Sequence, residues 1–189
     1  MRLILASASP RRAELLASAG FAFEISPADV DESPLLGEEP GGYALRVATE
    51  KARQVPLDRR QAGTVVLGAD TVVVAGNRIL GKPASDSEAI WMLEQLSGAV
   101  HVVMTAVVLR TGTRLISEVV STRVHLLPLT EDEIRWYVST REPDGKAGAY
   151  AIQGRAARFI DWIEGSWSNV VGLPLASVFR LLKEVGYRD

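Results

Sequence analysis

The sequence has no cysteine and only two histidines among its 189 residues. The absence of cysteine excludes disulfides and thiolate metal sites, and it is compatible with a reducing cytoplasmic setting. His101 and His125 belong to no HExxH motif and have no companions at the spacing of a zinc site. We therefore expect both histidines to be structural or surface residues.

Long apolar runs and a large excess of one charge are also lacking. No segment approaches the roughly 20 apolar residues of a bilayer span, and the apolar run of the amino end stops at Ser7, too early for a signal peptide. The formal net charge of −2 argues against broad phosphate neutralisation, so any phosphate site must be local. We expect a cytoplasmic protein with no nucleic-acid partner and no membrane partner.

The composition that is present is ordinary for a globular protein, with 47% hydrophobic and 23% charged residues. Residues 1–189 are enough for a single domain with two lobes and a cleft between them. Strands predicted at His101–Arg110 and Leu115–Leu127, joined by a turn at Thr111–Thr113, favour antiparallel neighbours. Gly165–Gly172 is predicted as a loop. The predicted fold is α/β, with a mixed β-sheet and flanking helices.

The segment TVVLGADTVVVAG at residues 64–76 places Asp70 between two of the most apolar stretches of the chain. These continuous, β-branched stretches predict strand buried on both faces, where an ionised carboxylate is costly without a cation or metal. The alternative is that Gly68–Asp70 is a solvated surface turn between two short strands. Lys82, in the loop Gly81-Lys82-Pro83, offers a cation that could return to Asp70.

A second unusual segment, SASPRR, follows the first predicted strand. Ser9 suits the N-cap and Pro10 the first position of a helix predicted to run to about Ala19. Arg11 and Arg12 then occupy the first turn, where cations oppose the helix dipole. This placement favours an anion site made of backbone N–H groups, serine hydroxyls and guanidinium groups. The alternative is a pair of solvated surface arginines.

Three further candidates are less specific. The acidic loop from Asp29 to Glu32 is typical of solvated charges, with metal binding as the alternative. Lys51 lies off the apolar stripe of the helix predicted over Gly42–Val55 and, taken alone, is an ordinary surface charge. Gln153 lies beside apolar neighbours, where its amide could read the edge of a base or satisfy a loop backbone.

These segments together resemble the Maf family of nucleoside triphosphate pyrophosphatases. The resemblance runs from residue 3 to about residue 182 and is carried, in order, by LASASPRRAELL, DVDES, EKA, LGADTVV, GKP, SGAVHVVMT, GKAGAYAIQG and IEGSWSNVVGLPL. It implies an elongated α/β fold around a mixed sheet with a cleft between two lobes, similar to inosine triphosphate pyrophosphatases, and often a homodimer. It also implies hydrolysis of a nucleoside triphosphate to the monophosphate and diphosphate with a divalent cation, Mg²⁺ or Mn²⁺.

Three positions distinguish the subgroups of that family, and here they are Arg11, Thr71 and Gln153. This combination resembles the subgroup that acts on dTTP, UTP and modified pyrimidine nucleotides, whereas the sister subgroup for 7-methyl-GTP has Trp, Gln and Glu. One alternative is a pyrophosphatase for purine nucleotides such as 7-methyl-GTP, ITP or XTP. The other is a nucleotide-binding regulator of septum formation or cell division.

The resemblance also implies roles for individual residues. Asp70 is expected to be the general base for the attacking water, and Asp70 and Glu32 to contact the divalent cation. Lys51 and Lys82 complete the expected catalytic set. Thr71 and Gln153 are expected to discriminate the base, Gln153 by matching the carbonyl and imide groups of uracil. The expected substrate-binding residues are Ser7, Arg11, Arg12, Thr71 and Gln153.

Overall fold

The structure, a computed structural model, describes residues 1–57, 63–112 and 114–188. Seven strands and six α-helices are present in this part of the chain. The strands are β1 (Arg2–Leu5), β2 (Glu24–Ile25), β3 (Thr64–Ala75), β4 (Arg78–Leu80), β5 (Val100–Thr111), β6 (Arg114–Leu126) and β7 (Ile160–Glu164). The helices are α1 (Pro10–Ser18), α2 (Pro40–Gln54), α3 (Asp86–Leu96), α4 (Glu131–Ser139), α5 (Trp167–Val171) and α6 (Leu175–Glu184). Within the same residues, no helix combines the length and apolar character that a bilayer crossing requires.

The strands form one mixed sheet in the order β2-β1-β3-β5-β6-β7, with β4 paired to β3. Strand β1 runs parallel to β2 and β3, while β4 is antiparallel to β3 and β7 is antiparallel to β6. Only residues 112–113 connect β5 to β6, which is too short for the crossover that a parallel pair needs. The predicted α/β fold with a mixed sheet is confirmed, and the turn predicted at Thr111–Thr113 includes Thr113, which lies outside the described residues.

The chain divides into two compact units. Unit one comprises Met1–Asp70, Thr105–Val120 and Gly172–Asp189, and unit two comprises Thr71–Met104 and Ser121–Val171. The expectation of a single domain with two lobes and a cleft stays a prediction.

Helix α2 packs closely on strand β3 inside unit one because β3 has a glycine at the contact. A Cβ atom on Gly68 would overlap the carbonyl oxygen of Ala48 and would lie 2.9 Å from the Cβ of Ala52. The face of α2 that turns inward follows two rows spaced by four residues, which are Tyr43-Val47-Lys51 and Ala44-Ala48-Ala52. A charged side chain, Lys51, is therefore carried into the interior by the same face that packs on the sheet.

The predicted loop at Gly165–Gly172 is wrong, because residues 167–171 form the short helix α5. Asn169 on this helix is fully buried, and its Nδ2 donates to the Val103 carbonyl at 3.0 Å and to the Thr122 hydroxyl at 2.9 Å. These hydrogen bonds to β5 and β6 are tertiary contacts that offset the turn-forming preference of the Gly- and Ser-containing sequence.

Candidate active site

Asp70 lies inside strand β3 and not on a turn. The strand is continuous from Thr64 to Ala75, and only 7% of Asp70 is exposed. The alternative of a solvated surface turn at Gly68–Asp70 is therefore wrong. A carboxylate in such a place needs a cation or several hydrogen-bond donors to offset its desolvation.

Lys51 supplies that cation. Its Nζ lies 2.8 Å from Asp70 Oδ1 and 2.6 Å from Glu32 Oε1, so one ammonium group joins two carboxylates. Lys51 is itself only 7% exposed, and the interpretation of Lys51 as an ordinary surface charge is wrong. The stripe predicted for this helix, Leu45, Ala48, Ala52 and Val55, is only partly right. Ala48, Ala52 and Val55 are buried, but Leu45 is half-buried and a second inward row runs through Tyr43, Val47 and Lys51.

Helix α2 also holds the acidic loop that carries Glu32. The Tyr43 hydroxyl donates to the Glu32 carbonyl at 2.7 Å, and Arg46 donates from Nη2 to the Ser33 carbonyl at 3.0 Å and from Nε to Glu38 Oε1 at 2.8 Å. Burial, together with the charges of Asp70 and Glu32, raises the pKa of Tyr43 to about 12, so its hydroxyl stays a donor. Tyr43 and Arg46 were missed from the sequence, although Tyr43 lies on the same i, i+4 row as Lys51.

The SASPRR segment forms a corner at the end of β1, with Ser7 and Arg12 buried. Arg12 is 8% exposed, and its guanidinium donates from Nε to the Gly172 carbonyl at 2.8 Å and from Nη1 to Ser7 Oγ at 3.2 Å. Ser9 is the N-cap of α1 by position but makes no side-chain cap, and the Ser7 hydroxyl accepts the Ser9 N–H at 3.2 Å. The alternative of two solvated arginines is therefore wrong for Arg12, and Arg11 is half-buried.

Electrostatic interactions link this corner to the acidic group. Burial lowers the pKa of Arg12, while the charges of Asp70 and Glu32 raise it and that of Arg11 lowers it. Burial likewise lowers the pKa of Arg11, against the charge of Glu14. Guanidinium groups stay protonated in proteins, so the corner keeps its positive charge near the two carboxylates.

The structure thus brings Ser7, Arg12, Glu32, Lys51 and Asp70 into one region of unit one. Of the other predicted site residues, Arg11 precedes Arg12 on α1. Thr71 is half-buried and follows Asp70 on β3, Lys82 is exposed after β4, and Gln153 is exposed in a turn of unit two. The roles expected for Thr71, Lys82 and Gln153, including a return of Lys82 to Asp70, stay predictions.

Two carboxylates that meet on one ammonium are the candidate ligands for a divalent cation. Among residues 1–57, 63–112 and 114–188, no group of three or more His, Asp or Glu side chains is suited to a metal ion. Mg²⁺ is commonly bound by one or two carboxylates together with substrate phosphates and water, without a complete protein cage. The oxygen donors of Asp70 and Glu32 fit that mode of binding.

The two histidines have structural surroundings, as expected. His101 is buried, and its Nε2 lies 2.8 Å from the Tyr150 hydroxyl. His125 Nδ1 lies 3.0 Å from Asp161 Oδ2, and the His125 ring stacks on Trp162 with centroids 5.5 Å apart.

Comparison with known proteins gives one consistent result. The family model described as Maf-like protein matches residues 2–185. A dTTP/UTP pyrophosphatase of Anaeromyxobacter dehalogenans strain 2CP-1 is 52% identical over 190 residues, covering 98% of this chain and 95% of the relative. Proteins of the same name from Symbiobacterium thermophilum and Geobacter sulfurreducens are 47% and 48% identical, each covering 98% of this chain and 95% and 97% of the relative. Since the family model and these relatives span almost the entire sequence, the chain belongs to the Maf family.

Proposed function

We propose that this chain is a cytoplasmic enzyme that hydrolyses dTTP, UTP and modified pyrimidine nucleoside triphosphates to the monophosphate and diphosphate. Such an enzyme would clear unwanted nucleotides from the cellular pool. The observation that carries the proposal is the buried Asp70 carboxylate, paired with the Lys51 ammonium at 2.8 Å. A buried ionisable group with a specific charge partner is a candidate for a functional site. The names of relatives about 50% identical support the same activity.

Asp70 would act as the general base, orienting a water molecule and accepting its proton as the water attacks the α-phosphorus. The bond between the α-phosphorus and the oxygen that bridges to the β-phosphorus breaks, and diphosphate leaves with the bonding electron pair. Lys51 compensates the charge of Asp70 and of Glu32, and helix α2 fixes its position against β3. Because α2 is fixed by packing, the base needs little reorganisation during the reaction.

The cations of the site would bind the triphosphate and offset the charge that grows on the leaving oxygens. Arg12 is suited to this role because Ser7 and the Gly172 carbonyl hold its guanidinium in one orientation. Arg11 and Lys82 would add further positive charge. Thr71 and Gln153 would contact and discriminate the base, Gln153 by matching the carbonyl and imide groups of uracil.

Glu32 and Asp70 are the residues that would hold Mg²⁺ or Mn²⁺. When bound, the ion supplies positive charge to the oxygens of the triphosphate. Contacts within the chain hold both carboxylates in position, since Lys51 contacts each of them and Tyr43 fixes the backbone at Glu32.

The first test is Asp70→Asn, which keeps the side-chain volume and removes the base. Release of diphosphate from dTTP and UTP should fall by at least ~10²-fold, the usual scale for loss of a general base. Asp144→Asn, an exposed carboxylate paired with Arg141, is the matched control and should keep wild-type turnover. Turnover of Asp70→Asn near the wild-type rate would show that Asp70 is not the base.

A panel of triphosphates separates the other functions. Diphosphate release from 7-methyl-GTP, ITP or XTP in preference to dTTP and UTP would indicate a purine pyrophosphatase. Binding of dTTP in the presence of Mg²⁺ without any diphosphate release would indicate a nucleotide-binding regulator of septum formation. The homodimer implied by the family resemblance is tested by sedimentation equilibrium.

A further inference from the structure

The turn that carries Gln153 is built to expose one side chain. Ala151 and Ile152 are buried, Gln153 is exposed, and the Gly154 N–H donates to the Ala151 carbonyl at 3.0 Å to close the turn. Residues 155–159 then form a 3₁₀ helix whose second residue, Ala156, is buried. The backbone on each side of Gln153 is therefore anchored in unit two.

The carboxylate of Glu142 holds the far side of this turn. Glu142 Oε2 accepts the Arg155 N–H at 3.0 Å, and Oε1 accepts the Ala156 N–H at 3.3 Å. A Cβ atom on Gly154 would overlap this carboxylate, so the approach depends on the missing side chain. Burial raises the pKa of Glu142, but the hydrogen bonds from Arg155, Tyr137 and Ala156 outweigh that effect and lower it.

Tyr137 holds the near side of the same turn. Its hydroxyl donates to Glu142 Oε1 at 2.8 Å and accepts the Ala151 N–H at 3.1 Å. The Tyr137 side chain is fully buried, and burial together with the bond to Glu142 raises its pKa, so the hydroxyl stays protonated. One hydrogen-bonded pair, Tyr137 and Glu142, thus contacts the backbone on both sides of Gln153.

The backbone that delivers Glu142 to this position is unusual. Arg141 directly follows Thr140, the C-cap of α4, and adopts φ +62°, a left-handed conformation that non-glycine residues rarely take. Ala149, two residues before the turn, also has a positive φ of 58°. Such conformations concentrate where the surrounding structure fixes the chain for a function.

We propose that Glu142 and Tyr137 are positioning residues that orient the Gln153 turn and thereby set the choice of base. The inference rests on the proposed function, in which Gln153 contacts the base. Neither residue would touch the reacting phosphate, so their loss should change KM and base selectivity more than kcat.

The test compares kcat and KM for UTP and CTP in the wild type, Glu142→Gln, Glu142→Ala and Tyr137→Phe. We expect Glu142→Ala to raise KM for UTP by about 10- to 100-fold, the cost of a displaced contact, with kcat changed less than about threefold. The preference for UTP over CTP in kcat/KM should shrink by a similar factor. Glu142→Gln should show a smaller effect, because it keeps one of the two acceptor oxygens.

One control variant and two readouts separate positioning from general damage. Glu131→Gln changes an exposed glutamate of α4 that pairs with Arg135, and it should leave kcat and KM unchanged for both UTP and CTP. A variant that merely lost folded enzyme would reduce the rates for UTP and CTP equally. Amide hydrogen exchange of residues 151–156 should accelerate at least about tenfold in Glu142→Ala, because two backbone N–H groups lose their acceptor.

The outcomes distinguish the two proposals. An active wild type whose UTP preference is unchanged in Glu142→Ala overturns the positioning role alone. A wild type that releases no diphosphate from any nucleotide overturns the proposed function and this inference with it. Should Glu142→Ala fail to fold, the UTP preference of Glu142→Gln and Tyr137→Phe decides in the same way.

Discussion

Two carboxylates of this protein are held by different kinds of partner. Asp70 in unit one is buried in a strand and contacts the ammonium of Lys51. Glu142 in unit two lies after a helix and accepts hydrogen bonds from two backbone N–H groups and the Tyr137 hydroxyl. A buried carboxylate with a specific charge partner is a candidate for chemistry, whereas a carboxylate that accepts backbone N–H groups is suited to fix the shape of the chain.

Removal of the Lys51 ammonium, which pairs with Asp70 in unit one, is expected to have the largest effect. Lys51→Met leaves the Asp70 carboxylate buried without its ammonium, so the free energy of unfolding should fall by about 3–5 kcal/mol. Urea denaturation measures this change. Asp70→Asn is the matched variant and should cost clearly less, because the neutral amide needs no counter-charge and Lys51 keeps Glu32. Equal stability of Lys51→Met and the wild type would contradict a buried ion pair.

In unit two, the buried His101 should make the free energy of unfolding depend on pH. Burial lowers the pKa of His101 from 6.5 to about 4, with a small contribution from His125. Above pH 6.5 the histidine is neutral in both states, and between 6.5 and about 4 only the unfolded chain takes up the proton. The contribution of His101 to the free energy of unfolding should therefore be fully present above pH 6.5. It should fall by about 3 kcal/mol as the pH drops to 4.

The measurement is the free energy of unfolding at intervals from pH 4 to 7. His101→Gln, which does not titrate, should remove most of the slope between about pH 6.5 and 5.5, above the range in which the carboxylates titrate. Persistence of the full slope in His101→Gln would assign the acid sensitivity to other groups.

Substitution of two glycines by alanine is expected to have the smallest effects on stability. Gly68 tests the packing in unit one, and Gly154 tests the packing in unit two. Gly68→Ala forces a methyl group against the backbone of α2, so we expect a loss of about 1–3 kcal/mol in unfolding free energy. Gly154→Ala meets the end of the Glu142 side chain, which can rotate away at lower cost. Thermal unfolding should rank Gly154→Ala as the more stable variant, and UTP preference should change in that variant. The reverse order of stability would contradict the close packing of α2 on β3.

Much of the fold and part of the site could be predicted from local sequence. The β-branched run around Asp70 indicated buried strand, and SASPRR indicated a turn into a helix with unusual cations. Lys51 could not be placed, because α2 has apolar residues on several sides and the sequence alone does not say which side packs on β3. Gly68 determines which side of α2 packs on β3, since it lets Ala48 and Ala52 approach the strand.

The sequence alone predicted most of the strands and helices, the mixed sheet and the family, because these follow from local patterns and from blocks that keep their order along the chain. Only the tertiary structure decided that Lys51 meets Asp70, 19 residues away, and that Glu142 holds the backbone around Gln153. Such contacts arise where packed elements bring side chains together, and hydrogen bonds between distant segments leave no periodic signal in the sequence.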